Sequence, residues 1–140
     1  IAGRPLVDGV VAAGTPIATA VRLGATRVIV LPAGFTCAAS ALPRHPIGRA
    51  MHAVTLLGVR QLRHDFAVYA TRARLHLVPP LCPLTQSSYD YSNGAALIAQ
   101  ARQSTRAWLD GGGLERSEFP GALIPHRHTS SGPVLLDAPA

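Results

Sequence analysis

Residues 4–16 hold the most informative pattern in this chain, Arg4-Pro5-Leu6-Val7-Asp8-Gly9-Val10-Val11-Ala12-Ala13-Gly14-Thr15-Pro16. The apolar pair before Asp8 is typical of the end of a short buried strand, which we predict over residues 4–8. Gly9 then lets the chain turn sharply, because it has no Cβ to clash. A carboxylate at the C-terminal end of a strand lies where open α/β sheets place their ligands. Asp8, with Gly9, is therefore the candidate functional site.

Helices and strands are predicted to alternate after this point. Thr15 and Pro16 suggest the N-cap and first position of a helix over residues 15–23, which Gly24 closes. The unalternating run over residues 27–31 is typical of a parallel strand buried on both faces. Strand, helix and strand within about 30 residues form a βαβ unit. The sequence therefore predicts an α/β fold with a mainly parallel sheet.

The next segment contains a long predicted helix over residues 47–69, a strand over 74–78 and a helix over 92–109. Proline-bearing loops over residues 32–46 and 79–91 separate these elements. One face of the long helix is apolar: Ile47, Ala50, Met51, Val54, Leu57, Leu62, Phe66 and Tyr69. We expect this face to cover the sheet. The alternative is a helix that lies on a membrane surface.

The third helix is followed by Gly111-Gly112-Gly113, which predicts its end. Beyond these glycines the periodicity is lost and proline, glycine and serine become frequent. We therefore predict an ordered part over residues 1–113 and a disordered tail over residues 114–140.

Composition limits the classes of protein to which the chain can belong. Hydrophobic residues make up 48% and charged residues 14%, which is enough for one packed domain. No apolar run reaches the roughly 18 residues of a transmembrane helix. The net charge is +6, but the 13 arginines are scattered and no nucleic-acid-binding motif is present. We expect no nucleic acid partner, possible peripheral contact with a membrane surface, and a cytoplasmic or membrane-peripheral location.

Metal and disulfide sites are not predicted. Cys37 and Cys82 are too few and too far apart for a disulfide framework or a zinc site, and we expect two small buried or half-buried thiols. His126 and His128 fall in the predicted tail, where we expect at most a stray metal ion. The sequence therefore predicts no metal site and no cofactor.

Six segments together resemble one known family. They are Leu6-Val7-Asp8-Gly9, Thr15-Pro16-Ile17, Leu23-Gly24-Ala25-Thr26-Arg27-Val28-Ile29-Val30-Leu31, Leu77-Val78-Pro79-Pro80-Leu81-Cys82-Pro83, Tyr89-Asp90-Tyr91-Ser92 and Ala107-Trp108-Leu109-Asp110-Gly111-Gly112. Over residues 4–113 the chain resembles the C-terminal half of a bacterial patatin-like phospholipase domain. The resemblance implies a partial three-layer α/β/α fold whose N-terminal half is missing.

The same resemblance implies lipid acyl hydrolysis, in which a serine and an aspartate form a catalytic dyad. In this family the serine of a Gly-x-Ser-x-Gly motif attacks an ester carbonyl, and the aspartate of an Asp-Gly motif takes its proton. Asp8 would be that general base and Gly9 the glycine of its motif. The implied substrate is a lipid or another carboxylic ester.

The chain also departs from the family pattern. It contains no Gly-x-Ser-x-Gly motif and no glycine-rich oxyanion loop upstream of Asp8, so it supplies no nucleophile. Val10 stands where the family has a second glycine. We therefore expect this chain to be inactive alone, as a fragment of a patatin-like serine hydrolase. The alternative is a degenerate, non-catalytic module that binds lipid or protein.

Overall fold

The computed structural model describes residues 3, 5, 9, 14–32, 45–83, 92–124, 126–129 and 132–135. Its elements, in chain order, are α1 (Ile17–Arg22), β1 (Arg27–Val30), α2 (Pro46–Tyr69), β2 (Arg74–Leu77), α3 (Gly94–Asp110), a short 3-10 helix (Gly121–Leu123), β3 (His126–Thr129) and β4 (Gly132–Leu135). The described part of the chain is thus mixed α/β, as predicted. The strand predicted over residues 4–8 lies, apart from Pro5, outside the described residues.

The strands β1 and β2 pair in parallel, with Arg27 opposite Arg74 and Val30 opposite Leu77. The helix α2 connects them, so the two strands and α2 form a βαβ unit. The two strands differ in burial. Three residues of β2 in succession are buried, as expected for a strand covered on both faces, but Ile29 on β1 is 48% exposed. The prediction of a strand buried on both faces was therefore wrong for β1, since about half of Ile29 stays exposed.

The helix α1 ends in the way predicted from Gly24. Gly24 has a φ of 93°, its N–H donates to the carbonyl of Val21, and the next N–H, of Ala25, donates to the carbonyl of Ala20. These two bonds satisfy free carbonyls at the helix end, and glycine adopts the left-handed conformation without strain. The predicted N-cap was wrong: Pro16 is the N-cap residue, and no side chain caps the helix.

The core lies between α1, α2 and the sheet. Its buried residues are Ile17, Val30, Leu62, Ala73, Leu75, Leu77 and Leu123. Only the C-terminal half of α2 contributes to it, through Leu62 with the partly buried Phe66 and Tyr69. The apolar residues of its N-terminal half are exposed: Ile47, Met51, Val54 and Leu57. The predicted apolar face of α2 thus covers the sheet only along the C-terminal half of the helix. We use the name parallel core for the described residues of 17–77.

The described residues of 111–135, which we call the C-terminal arm, return to β2 after α3. The carbonyl of Arg116 lies 2.9 Å from Nδ1 of His76, and the hydroxyl of Ser117 donates to the carbonyl of Leu75 at 2.8 Å. Phe119 packs edge-on against Phe66 with 5.6 Å between ring centroids. The sequence predicted no regular element after Gly113. The structure has a short helix and an antiparallel β3–β4 hairpin there, positioned by contacts with distant residues.

None of the helices in the described residues combines the length and the apolar composition that crossing a membrane would require.

Candidate functional site

The residue predicted as the general base, Asp8, lies outside the described residues. Its neighbour Gly9 is described and exposed. A Cβ added at Gly9 would meet no atom within 4 Å, and the φ of Gly9 is not in the left-handed region. The described backbone therefore gives no steric reason for a glycine at this position.

An apolar groove of about 510 Å³ lies at the carboxyl end of β1. The start of α1 contributes Thr15 and Pro16, the end of β1 contributes Leu31 and Pro32, and α2 contributes Val54 among others. In the sequence, Asp8 precedes Thr15 and Pro16, which line this groove. Because ligands of α/β sheets bind at the carboxyl ends of the strands, the groove is a candidate substrate site.

A second group of chemically active side chains lies elsewhere, and consists of Cys82, His126 and His128. The Sγ atom of Cys82 lies 3.0 Å from Nε2 of His126 and 3.1 Å from Nε2 of His128. The two Nε2 atoms are themselves 3.1 Å apart. Three potential metal-ligand atoms thus form a nearly equilateral triangle, which we call the Cys-His-His cluster.

The strand β3 explains how two of these side chains come together. His126 and His128 are two residues apart on this strand, so both side chains point to the same face. Their rings meet edge-to-face, with 4.8 Å between centroids. Cys82 follows β2 in the segment that leaves the carboxyl end of the parallel sheet. The cluster therefore connects the hairpin to the end of the parallel core.

The environments of the three side chains differ. His126 is buried, with 2% of its surface exposed, whereas His128 is half-buried and Cys82 is exposed. Nδ1 of His126 lies 2.7 Å from the carbonyl oxygen of Ile124. Only a protonated Nδ1 can donate to a carbonyl, so in the neutral ring the lone pair is on Nε2 and points to Cys82.

Sulfur and imidazole nitrogen are ligands that zinc and other late transition metals prefer. Among the described residues, this cluster is the group of cysteine, histidine and acidic side chains that could hold a metal ion. The sequence prediction treated Cys82 and the two histidines separately and expected no metal site. The His-x-His pattern was a usable signal, since on a strand it places two imidazoles on one face. The partner 44 residues away was not predictable from spacing alone.

His76, which also carries a ligand-type side chain, is not part of the cluster. His76 is buried on β2, where its Nδ1 contacts the Arg116 carbonyl and its Nε2 has no partner among the described residues. Its contacts fix the C-terminal arm on the sheet and do not reach Cys82. Cys37 lies outside the described residues.

Comparisons of the chain with protein-family models, with curated proteins and with solved structures found no match.

Proposed function

We propose that this chain is the aspartate-bearing part of a patatin-like lipid acyl hydrolase. In this proposal Asp8 is the general base of a Ser–Asp dyad, and Gly9 belongs to its motif. The serine and the oxyanion loop come from protein outside these 140 residues. The chain alone is then inactive, and its substrate is a carboxylic ester of a lipid.

The observation that carries the proposal is the position of the apolar groove. The N-terminal end of α1 and the carboxyl end of β1 border the same groove, at the edge of the sheet where ligands of α/β proteins bind. In this proposal Asp8, which precedes α1 in the sequence, acts at this groove as the catalytic base. The apolar lining of the groove suits an acyl chain.

Uncovered apolar surface supports the idea of a missing half. Five large apolar side chains in the N-terminal half of α2 are exposed, and so are Ile29 and Leu31 at β1. Apolar side chains arranged in such a continuous face are usually buried against another layer of structure. The missing half of a three-layer α/β/α domain would supply that layer, together with strands beside β1.

The proposed chemistry is simple to state. A serine hydroxyl is a weak nucleophile until a neighbouring base accepts its proton. The carboxylate of Asp8 would take that proton as the serine oxygen attacks the ester carbonyl. It would then return the proton to the departing alcohol, leaving an acyl-enzyme that water hydrolyses. Each proton transfer requires Asp8 within hydrogen-bond reach of the serine.

A second function is favoured by the same groove. A non-catalytic descendant of the family would use the groove and the exposed face of α2 to bind lipid or a protein partner. The replacement of the second glycine by Val10 supports this alternative, because valine rarely adopts a positive φ. Scattered arginines would add attraction to an anionic membrane surface. A cytoplasmic or membrane-peripheral location suits both functions.

A chimeric enzyme tests the proposal. The nucleophile-bearing half of an active patatin-like phospholipase would be joined to this whole chain and assayed with p-nitrophenyl esters. We expect hydrolysis, and we expect Asp8→Asn to lower kcat about 100-fold to 10,000-fold, because amide nitrogen cannot accept the serine proton. Asp110→Asn, at an exposed position on α3, is the control and should leave kcat unchanged.

Two results would count against Asp8 as the base. Equal turnover by the Asp8→Asn and Asp110→Asn chimeras would remove Asp8 from the mechanism. A chimera that folds cooperatively but hydrolyses nothing would favour the non-catalytic alternative.

A further inference from the structure

The Cys-His-His cluster brings three potential metal-ligand atoms close together. Its three atoms come from two segments far apart in the sequence, and all three separations fall between 3.0 and 3.1 Å. Each of these atoms can present a lone pair to the centre of the triangle. Three lone pairs directed at one point repel each other unless protons or a cation lie between them.

The dimensions of the triangle fit a metal ion. With zinc bonds of about 2.0–2.1 Å to nitrogen and about 2.3 Å to sulfur, an ion would lie about 1 Å above the plane of the three atoms. Ideal tetrahedral angles would need ligand separations of about 3.3–3.6 Å, so each side chain would move by only a few tenths of an ångström. A pyramid of this kind leaves one coordination position open.

A hydrogen bond to the backbone fixes the orientation of His126, the buried member of the cluster. Metal-binding histidines commonly donate their second ring N–H to a carbonyl, which fixes both the tautomer and the orientation of the ring. Nδ1 of His126 makes this contact with the Ile124 carbonyl at 2.7 Å. The ring is 2% exposed, so its orientation is set before any ion arrives.

The chemistry of the three side chains selects the kind of ion. Calcium and magnesium require oxygen ligands, which this set lacks. One thiolate and two imidazoles suit zinc, and three protein ligands with one open position are typical of zinc sites that also hold water or another small ligand.

We propose that Cys82, His126 and His128 bind one Zn²⁺ ion, with water or another small ligand at the fourth position. The ion fastens the β3–β4 hairpin to the segment that follows β2. It joins residues 82 and 126, and because the site exists only in the folded chain, zinc binding stabilises the folded state. This site is independent of Asp8 and of ester hydrolysis.

The test uses the full chain loaded with Zn²⁺ and freed of excess metal. We expect one zinc ion per chain by mass spectrometry of the metal, and a chelator competition that gives a single binding constant. Cys82→Ser and His128→Ala should each weaken zinc binding by more than about 100-fold, because each removes one of three ligands. His64→Ala removes an exposed histidine on α2 and should bind zinc like the unchanged chain.

Cobalt substitution identifies the ligands without relying on the stability of the variants. Co²⁺ in the unchanged chain should give the visible bands of a tetrahedral site and a near-ultraviolet thiolate-to-cobalt band.

Hydrogen exchange should slow at residues 126–129 when zinc is added and stay the same at residues 27–30.

Three results would overturn the proposal. They are a chain that retains no zinc after exposure to an excess, a cobalt complex without a thiolate band, and equal zinc affinity in the Cys82→Ser and His64→Ala variants. Retention of copper by a chain that does not retain zinc would overturn the choice of metal.

Discussion

The parallel core and the C-terminal arm are held by different kinds of contact. The parallel core buries a set of aliphatic side chains, with Leu62, Leu75 and Leu77 each at most 2% exposed. The arm adds Leu123 to that set, and polar and aromatic contacts join its residues 116, 117 and 119 to β2 and α2. The core therefore depends on its own side chains, whereas the arm depends on the core.

The two regions meet at β2, and this strand shows how one depends on the other. Leu75 and Leu77 belong to the aliphatic cluster, while His76 between them contacts the arm. Successive side chains of a strand point to opposite faces, so Leu75 and Leu77 face the core, to which the arm adds Leu123, while His76 contacts the arm from the other face. Substitutions on the core face of β2 should destabilise both regions. Substitutions at the contacts between β2 and the arm should destabilise mainly the arm.

The largest effect should come from the core side of β2. Leu75→Ala removes a side chain that is 0% exposed, and we expect the free energy of unfolding to fall by about 2–5 kcal/mol because a cavity remains. Chemical denaturation followed by circular dichroism measures this change. Leu23→Ala, at a position 84% exposed, should change stability by less than about 0.5 kcal/mol. Similar losses in the two variants would mean that Leu75 is not part of a packed core.

A smaller effect should come from the junction of α3 with the arm. Gly113 is buried against Trp108, and a Cβ at Gly113 would overlap the indole ring. We expect Gly113→Ala to destabilise the chain by about 1–3 kcal/mol, because the ring or the backbone must move. Gly121→Ala is the control, since a Cβ there would meet nothing within 4 Å.

The effect of Gly113→Ala is measured both by denaturation curves and by the fluorescence of Trp108. The fluorescence should change in Gly113→Ala and stay the same in Gly121→Ala. If both variants unfold like the unchanged chain, then the arm does not pack closely on the end of α3.

The sequence predicted the parallel core well, because its signals are local. The strand bounds of β1 and β2 were predicted to within one residue, and the turn at Gly24 followed from the left-handed conformation that glycine permits. The uncovered half of α2 was not predictable, since an apolar helix face indicates burial but not the partner that provides it. The predicted base, Asp8, stays a prediction.

The arm was harder to predict for a physical reason. Its proline, glycine and serine content gives no periodic pattern, and its contacts link residues about 40 positions apart. The same holds for the Cys-His-His cluster, where Cys82 and His126 are separated by 44 positions. Spacing in a sequence predicts neighbours on one helix or strand, but it does not predict which segments the topology brings together.

The smallest effect should come from the hydrogen bond between the arm and β2. Ser117→Ala removes the donor to the Leu75 carbonyl, and we expect a loss of about 0.5–1.5 kcal/mol, because the carbonyl is only partly able to reach water instead. Ser104→Ala, at an exposed position on α3, should not destabilise the chain, since alanine is the better helix former. Hydrogen exchange should speed up at residues 126–129 in Ser117→Ala but not at residues 27–30. Equal exchange in the two serine variants would mean that the arm is held on β2 by Phe119 and Leu123 instead, and that apolar burial dominates in both regions.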